Sequence, residues 1–270
     1  MTAHGLIRAA SLVLATFGVT IGVTAGTATP AGARPMLFVD APEPYASSRA
    51  IVSLESAWED HGIRAADERA AINRLGVQLP LGARWDGYLR VESTIGRRRS
   101  MNDVDFQGRW TAGRGRADGA LLSLRAGARR ESSGTTVLLG GIAASKRVAA
   151  SLAAASLDLE RALGPDRDDV DILTSAGWTT PVGPILRLGV EASGQDLEGL
   201  WERNEAEGGA VLFLGPTVAV NAPGSSWRFA LGGGPVFHVT RSPLTSLAPR
   251  DILPRGDGYA LRLVIENGDR

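Results

Sequence analysis

The sequence predicts an all-β protein, an antiparallel up-and-down transmembrane β-barrel of about twelve strands behind a secretory signal, and three observations carry that prediction. Between about Ile51 and Ile265 a unit of roughly ten residues alternating apolar and polar recurs, each time ending in a Gly, Pro, Asp or Ser break. An apolar N-terminal stretch with a small-residue cleavage pattern stands in front of that array. No later segment approaches the roughly 20 apolar residues that a spanning helix needs. Strands closed into a cylinder cross lipid with every backbone group paired and no sheet edge exposed, which accommodates all three.

Composition narrows the alternatives. The 270 residues carry 29 basic and 29 acidic side chains, so no electrostatic footprint for nucleic acid exists. Cysteine is absent, which excludes structural disulfides and thiolate metal sites. An apolar fraction of 44% is low for a helical membrane protein and ordinary for a barrel that shows lipid only every second side chain.

At the N-terminus, Arg8 precedes an apolar run from Ala9 to about Val23, and small residues follow to Ala31-Gly32-Ala33. Residues 1–33 therefore read as a signal peptide cleaved after Ala33. Residues 34–49, with Pro35, Pro42, Pro44 and Ser47-Ser48, read as a flexible periplasmic leader, a plug in the lumen being the sharper alternative. Residues 50–270 form the expected outer-membrane barrel.

The expected strands lie at about 50–59, 70–81, 86–96, 103–112, 119–131, 135–146, 148–162, 169–179, 184–193, 209–220, 226–239 and 257–267. The clearest is Val104 to Trp110, where Val104, Phe106 and Trp110 share one face while Asp103, Asp105, Gln107 and Arg109 share the other. Only a period of two segregates them so. The third strand sets Leu89, Val91 and Ile95 against Arg90 and Glu92, and the fifth sets Leu122, Leu124, Ala126 and Ala128 against Arg125, Arg129 and Glu131. The ninth, eleventh and twelfth repeat the rule around Arg187 and Glu191, Arg228, and Arg262. In the seventh, Val148, Leu152, Ala155 and Leu159 also fit helical spacing; were it a helix, ten strands would remain.

Connections alternate in length. Gly82 to Trp85, Gly113 to Asp118, Arg147, Thr180 to Gly183 and Asn221 to Ser225 are short, whereas Asp60 to Arg69, Gly194 to Gly208 and Thr240 to Gly256 are long. Short periplasmic turns facing longer external loops is the usual asymmetry of such barrels. Trp85, Trp110, Trp178 and Trp227 fall beside the short turns, where an indole sits at headgroup level; Trp58 falls at the opposite rim and Trp201 in an external loop.

The inward faces mix acid with base. Candidate pore-lining residues are Arg90, Glu92, Asp103, Asp105, Arg109, Arg125, Arg129, Arg187, Glu191, Arg228 and Arg262, with Glu55, Arg74, Glu131, Asp158, Glu160, Asp171 and Glu266 on the same faces. Rings of fixed charge screen solutes, and the same charges can equally fill a barrel too narrow to conduct. The tenth strand departs from this, with Phe213, Gly215, Thr217 and Ala219 inward.

Outside the lining, Arg97, Arg98 and Arg99 form a cluster suited to lipopolysaccharide phosphates, a solvated loop being the plainer reading. Asp166, Asp168, Asp169 and Asp171 match no calcium-loop spacing, so no metal is expected. His61 and His238 near the outer rim are the candidate general bases of a rim hydrolase. His238 to Ser242 lacks the lipid A deacylase pattern and no omptin-like carboxylate and His arrangement stands out, so no enzymatic activity and no cofactor are expected.

Val211 to Val220, Ser226 to Gly232 and Tyr259 to Ile265 are similar to the closing strands of bacterial outer-membrane channel proteins and resemble the MetA-pathway phenol-degradation barrels. The resemblance implies a Gram-negative outer-membrane barrel that transports a small solute. Its partners would be outer-membrane lipid, lipopolysaccharide and the assembly machinery. One departure is the C-terminus, where Glu266 to Arg270 follows the last strand in place of an aromatic residue. The function expected is a channel through a charge-lined barrel, with a rim lipid or peptide hydrolase and a structural or adhesive barrel as alternatives.

Overall fold

The computed structural model describes residues 36–42, 49–60, 69–96, 100–113, 119–163, 170–195, 197, 210–238 and 257–267. Twelve strands run β1 Ile51–Asp60, β2 Arg69–Pro80, β3 Trp85–Gly96, β4 Ser100–Ala112, β5 Ala120–Arg130, β6 Thr136–Val148, β7 Ser151–Leu163, β8 Asp171–Val182, β9 Leu186–Gln195, β10 Val211–Asn221, β11 Trp227–His238 and β12 Gly258–Asn267. Each pairs antiparallel with its sequence neighbours, and β1 pairs with β12 to close the cylinder. The up-and-down barrel predicted from the alternating pattern is the architecture observed.

Its burial is the reverse of a soluble protein's. Arg109, Asp86 and Glu266 are 2%, 0% and 1% exposed, while Phe106, Tyr259 and Ile95 are 62%, 63% and 55% exposed. A sandwich with a dry core cannot give that inversion. The exposed belt of Leu89, Val104, Phe106, Leu124, Leu188 and Leu261 matches lipid, and the closed ladder leaves no unpaired edge within it. Trp85, Trp110, Trp178 and Trp227 stand toward the short-turn ends of their strands, and Trp58 toward the other end.

One expectation open to an alternative holds, and one local difference has a simple cause. The seventh strand is β, because its alternate side chains face in (Leu152, Ala154, Ser156) and out (Ala155, Leu157). The turn before it lies not at Arg147 but at Ala149-Ala150, with Ala149 in the left-handed region at φ 53°. Arg147 stays in β6 opposite Leu152. No Gly or Pro marks that turn, so the pairing of β6 with β7 sets it instead.

The signal-peptide residues lie outside the described residues. Of the expected leader, residues 36–42 are described, and Met36, Leu37, Val39 and Ala41 are buried inside the barrel, where the plug alternative would put them. Four consecutive apolar residues, Met36 to Val39, gain more from wall contacts than from water, since each buried side chain of this size contributes roughly 1.5–3 kcal/mol. Met36, Val39 and Ala41 pack with Leu152 and Ala154, and Leu37 packs with Ala219, Ala230 and Val264.

Candidate functional site: a plugged, charged lumen

The alternating strands turn a continuous set of ionic side chains inward. Arg74 of β2 bridges Glu55 of β1 and Glu92 of β3, and Glu55 also receives Arg262 of β12 at 3.2 Å. Arg90 faces Asp105 at 3.7 Å, and Arg129 faces Glu160 at 2.7 Å and Glu131 at 3.6 Å. Arg109 meets Asp86 at 3.2 Å, Arg125 meets Asp158, and Arg228 meets Glu266 at 3.0 Å. Arg187 donates to Thr179 Oγ1 at 2.9 Å and faces the positive charges of Arg228 and Arg147. Asp103 accepts from the Ser132 backbone N–H at 3.3 Å.

Arg147, Arg187 and Arg228 lie one residue or so from the short-turn ends of their strands, whereas Glu59, Asp103, Glu160 and Asp171 lie toward the opposite ends. Asp86 and Glu266 stand at the same depth as those three arginines, and Arg129 stands among those acids, so each end of the lumen carries both signs. Phe213, Gly215, Thr217 and Ala219 of β10 also face inward, and Phe213 joins Val211, Val236 and Ala260 in an apolar patch on one side of the wall.

Residues 36–42 cross this lumen and are held by groups from at least six strands. Glu191 of β9, only 1% exposed, accepts the backbone N–H groups of Leu37 at 2.9 Å, Phe38 at 2.6 Å and Val39 at 3.0 Å. A carboxylate so buried is tolerable because three donors replace its water. Arg262 donates to the Leu37 carbonyl at 2.8 Å and stacks its guanidinium 4.5 Å above the Phe38 ring. The same ring contacts Phe213, with centroids 4.2 Å apart and planes tilted by 30°. Asp40 is shared between Arg109 Nη1 at 3.4 Å and Arg125 Nη1, and Ser145 Oγ donates to the Pro42 carbonyl at 3.0 Å.

A cavity of about 130 Å³ remains beside the segment, lined among others by Phe38, Asp40, Arg90, Arg125, Phe213 and Arg262. The residues expected from the sequence to line the pore sit on the inward faces of their strands, most of them in the ion pairs given above and Arg187, Asp103 and Glu191 in hydrogen bonds. What sequence reasoning missed is the use made of Glu191, Arg109, Arg125 and Arg262. Their partners include residues 36–42, and nothing in the strand pattern marks that.

No protein-family model matches this chain, and no curated protein matches it. Solved structures do. The KdgM porin in complex with disordered oligogalacturonate is similar with a TM-score of 0.55 at 7% identity, covering 82% of this chain and 99% of that one. The NanC porin gives 0.56 at 9% identity, covering 81% and 99%. An outer-membrane channel from Pseudomonas putida F1 gives 0.53 at 12% identity, covering 89% and 99%. The chain has the fold of outer-membrane channel barrels. The barrel expected from the alternating pattern and from the resemblance to channel proteins is thus matched at the level of fold, over nearly the whole of each neighbour.

The remaining candidates are placed as follows. Arg97, Arg98 and Arg99, His61, Trp201 and the carboxylates from Asp166 to Asp169 lie outside the described residues. His238 ends β11, and its backbone N–H donates to Asp257 at 3.0 Å. Among the described residues no group of three or more His, Asp or Glu side chains is arranged to hold a metal.

Proposed function

We propose that the protein is a gated outer-membrane channel for a small solute, with residues 36–42 as the plug that closes it. The observation that carries this reading is the polar, cavity-bearing interior filled by the chain's own segment in place of a dry core. Arg90, Glu92, Asp103, Asp105, Arg109, Arg125, Arg129, Arg187, Glu191, Arg228 and Arg262 line the path and set its preference among solutes. Removing the seven plug residues would join the two ends of the lumen through one aqueous passage. The neighbours described as porins, one of them holding an oligogalacturonate, favour a solute over a lipid or peptide substrate. Arg97, Arg98 and Arg99 would contact lipopolysaccharide from the external loops.

The test is single-channel recording in planar bilayers, comparing the full chain with a variant lacking residues 36–42. The full chain is expected to stay closed for most of the record, and the deletion to show discrete open steps. A folded barrel that conducts in neither form overturns the proposal. Glu191→Gln, which weakens acceptance of the three plug N–H groups, is expected to raise the open fraction without changing the step size.

A further inference from the structure

The plug is held by two kinds of contact, and they differ in what else they could bind. Glu191 grips backbone N–H groups, which only a peptide supplies. Phe38 and Asp40 are held by their side chains, in cradles built wholly from the wall. Arg109 Nη1 takes Asp40 Oδ1 and Arg125 Nη1 takes Oδ2, so the two guanidinium groups divide one carboxylate between them. Arg109 is itself fixed by Asp86, which it meets through Nε at 3.3 Å and Nη2 at 3.2 Å, and Arg125 by Asp158. Both anchors belong to strands, so the clamp keeps its shape when Asp40 leaves. The ring cradle is built likewise: Phe213 sits in an apolar cluster with Val211, Val236 and Ala260, and Arg262 is tethered to Glu55 at 3.2 Å. Both cradles open on the same cavity of about 130 Å³.

We infer that these two cradles are the solute site of the channel, that its ligand is a small molecule bearing one carboxylate and an aromatic ring, and that the ligand opens the lumen by taking the places of Asp40 and Phe38. The inference rests on the channel reading only in treating the lumen as the solute's path. Paired guanidinium groups favour a carboxylate over a neutral hydroxyl because each carboxylate oxygen accepts a charge-assisted bond. The Phe213 face and the Arg262 cation together favour an aromatic ring over an alkyl chain. The clamp takes the two oxygens of a single carboxylate, which sets one carboxylate per ligand. Ligand and plug compete for the same donors, so binding is coupled to plug release.

The probe is 3-phenylpropionate, with 3-phenylpropanol as its neutral partner, measured by calorimetry on the folded full-length barrel in detergent. Asp40→Asn loosens the plug at the clamp and leaves both arginines, so phenylpropionate is expected to bind this variant about fivefold or more tightly than the parent chain. Phenylpropanol is expected to show no such gain. Phe38→Ala supplies an independent version of the same comparison. Because the chain has no cysteine, Val39→Cys reports plug exit directly: its labelling by a bulky maleimide is expected to speed up with phenylpropionate and not with phenylpropanol. Equal affinity in parent and both variants, equal binding of acid and alcohol, or labelling indifferent to the acid each overturns the inference. None of these readouts needs conductance. A barrel that binds and releases its plug yet never conducts sinks the channel reading alone, and a conducting barrel blind to phenylpropionate sinks this one alone.

Discussion

Two stretches of the wall are built on different principles. Between β3 and β4 the ladder is unbroken from Trp85 opposite Trp110 to Ile95 opposite Ser100, and the inner surface is ionic, with Asp86–Arg109 and Arg90–Asp105 pairs. Between β10 and β11 the paired rows run from Val211 to Phe213 and resume at Thr217, leaving Leu214-Gly215-Pro216 opposite Gly233-Gly234-Pro235 without ladder pairing. Pro216 and Pro235 have no N–H to offer, and here the inner surface is small or apolar. Where side chains are charged, a regular backbone is needed to hold each partner in register. Where they are absent the two backbones move together instead: a Cβ on Gly234 would lie 2.2 Å from the Leu214 carbonyl oxygen. The barrel thus has a stiff ionic side and a close-set, weakly laced side, and Phe38 of the plug rests against Phe213 at the latter.

The contrast can be broken most severely on the ionic side. Arg109→Ala removes the guanidinium that faces the fully buried Asp86, and the expected loss is about 3 kcal/mol of unfolding free energy, read from urea titration of the barrel in lipid vesicles. On the other side, Gly234→Ala must push Leu214 away and is expected to cost about 1–3 kcal/mol, whereas Gly108→Ala on β4, with nothing within 4 Å of the added carbon, is expected to stay within about 0.5 kcal/mol. Equal effects at the two glycines would erase the distinction between the walls. Amide exchange sharpens it further: the protons of Leu214, Gly215, Gly233 and Gly234 are expected to exchange about tenfold faster on average than those of Val104 to Phe106, a difference of about 1.4 kcal/mol. The smallest effect belongs to the β6–β7 turn, where Ala149→Gly relieves the left-handed backbone and is expected to stabilise by under about 1 kcal/mol.

Most of the architecture was readable because a barrel writes its inside and outside into alternate residues. Asp103, Asp105 and Arg109 could face only the lumen once Val104, Phe106 and Trp110 faced lipid. Strand ends were less readable, since pairing sets them: β4 starts at Ser100 rather than 103 because Ile95 at the end of β3 pairs with it. The plug was readable only as the alternative to a flexible leader. Met36 to Val39 is too short to show a period, and the residues that receive it are more than 60 positions away, among wall charges whose local pattern is fully explained by the strand alone. The break between β10 and β11 had a local signal in Pro216 and Pro235, but only the register shows that the two prolines flank one gap.

The plug's own bonds fix a sequence of events in assembly. Leu37 is bound to Arg262 across 225 positions and to Glu191 across 154, so its seat does not exist until the final strand has closed on the first. Chain-entropy costs for such distant contacts fall due only after the cylinder is complete, which makes insertion of this segment the last act of folding. On the proposed channel reading, every newly made molecule passes through an unsealed stage in the membrane before its own segment closes it.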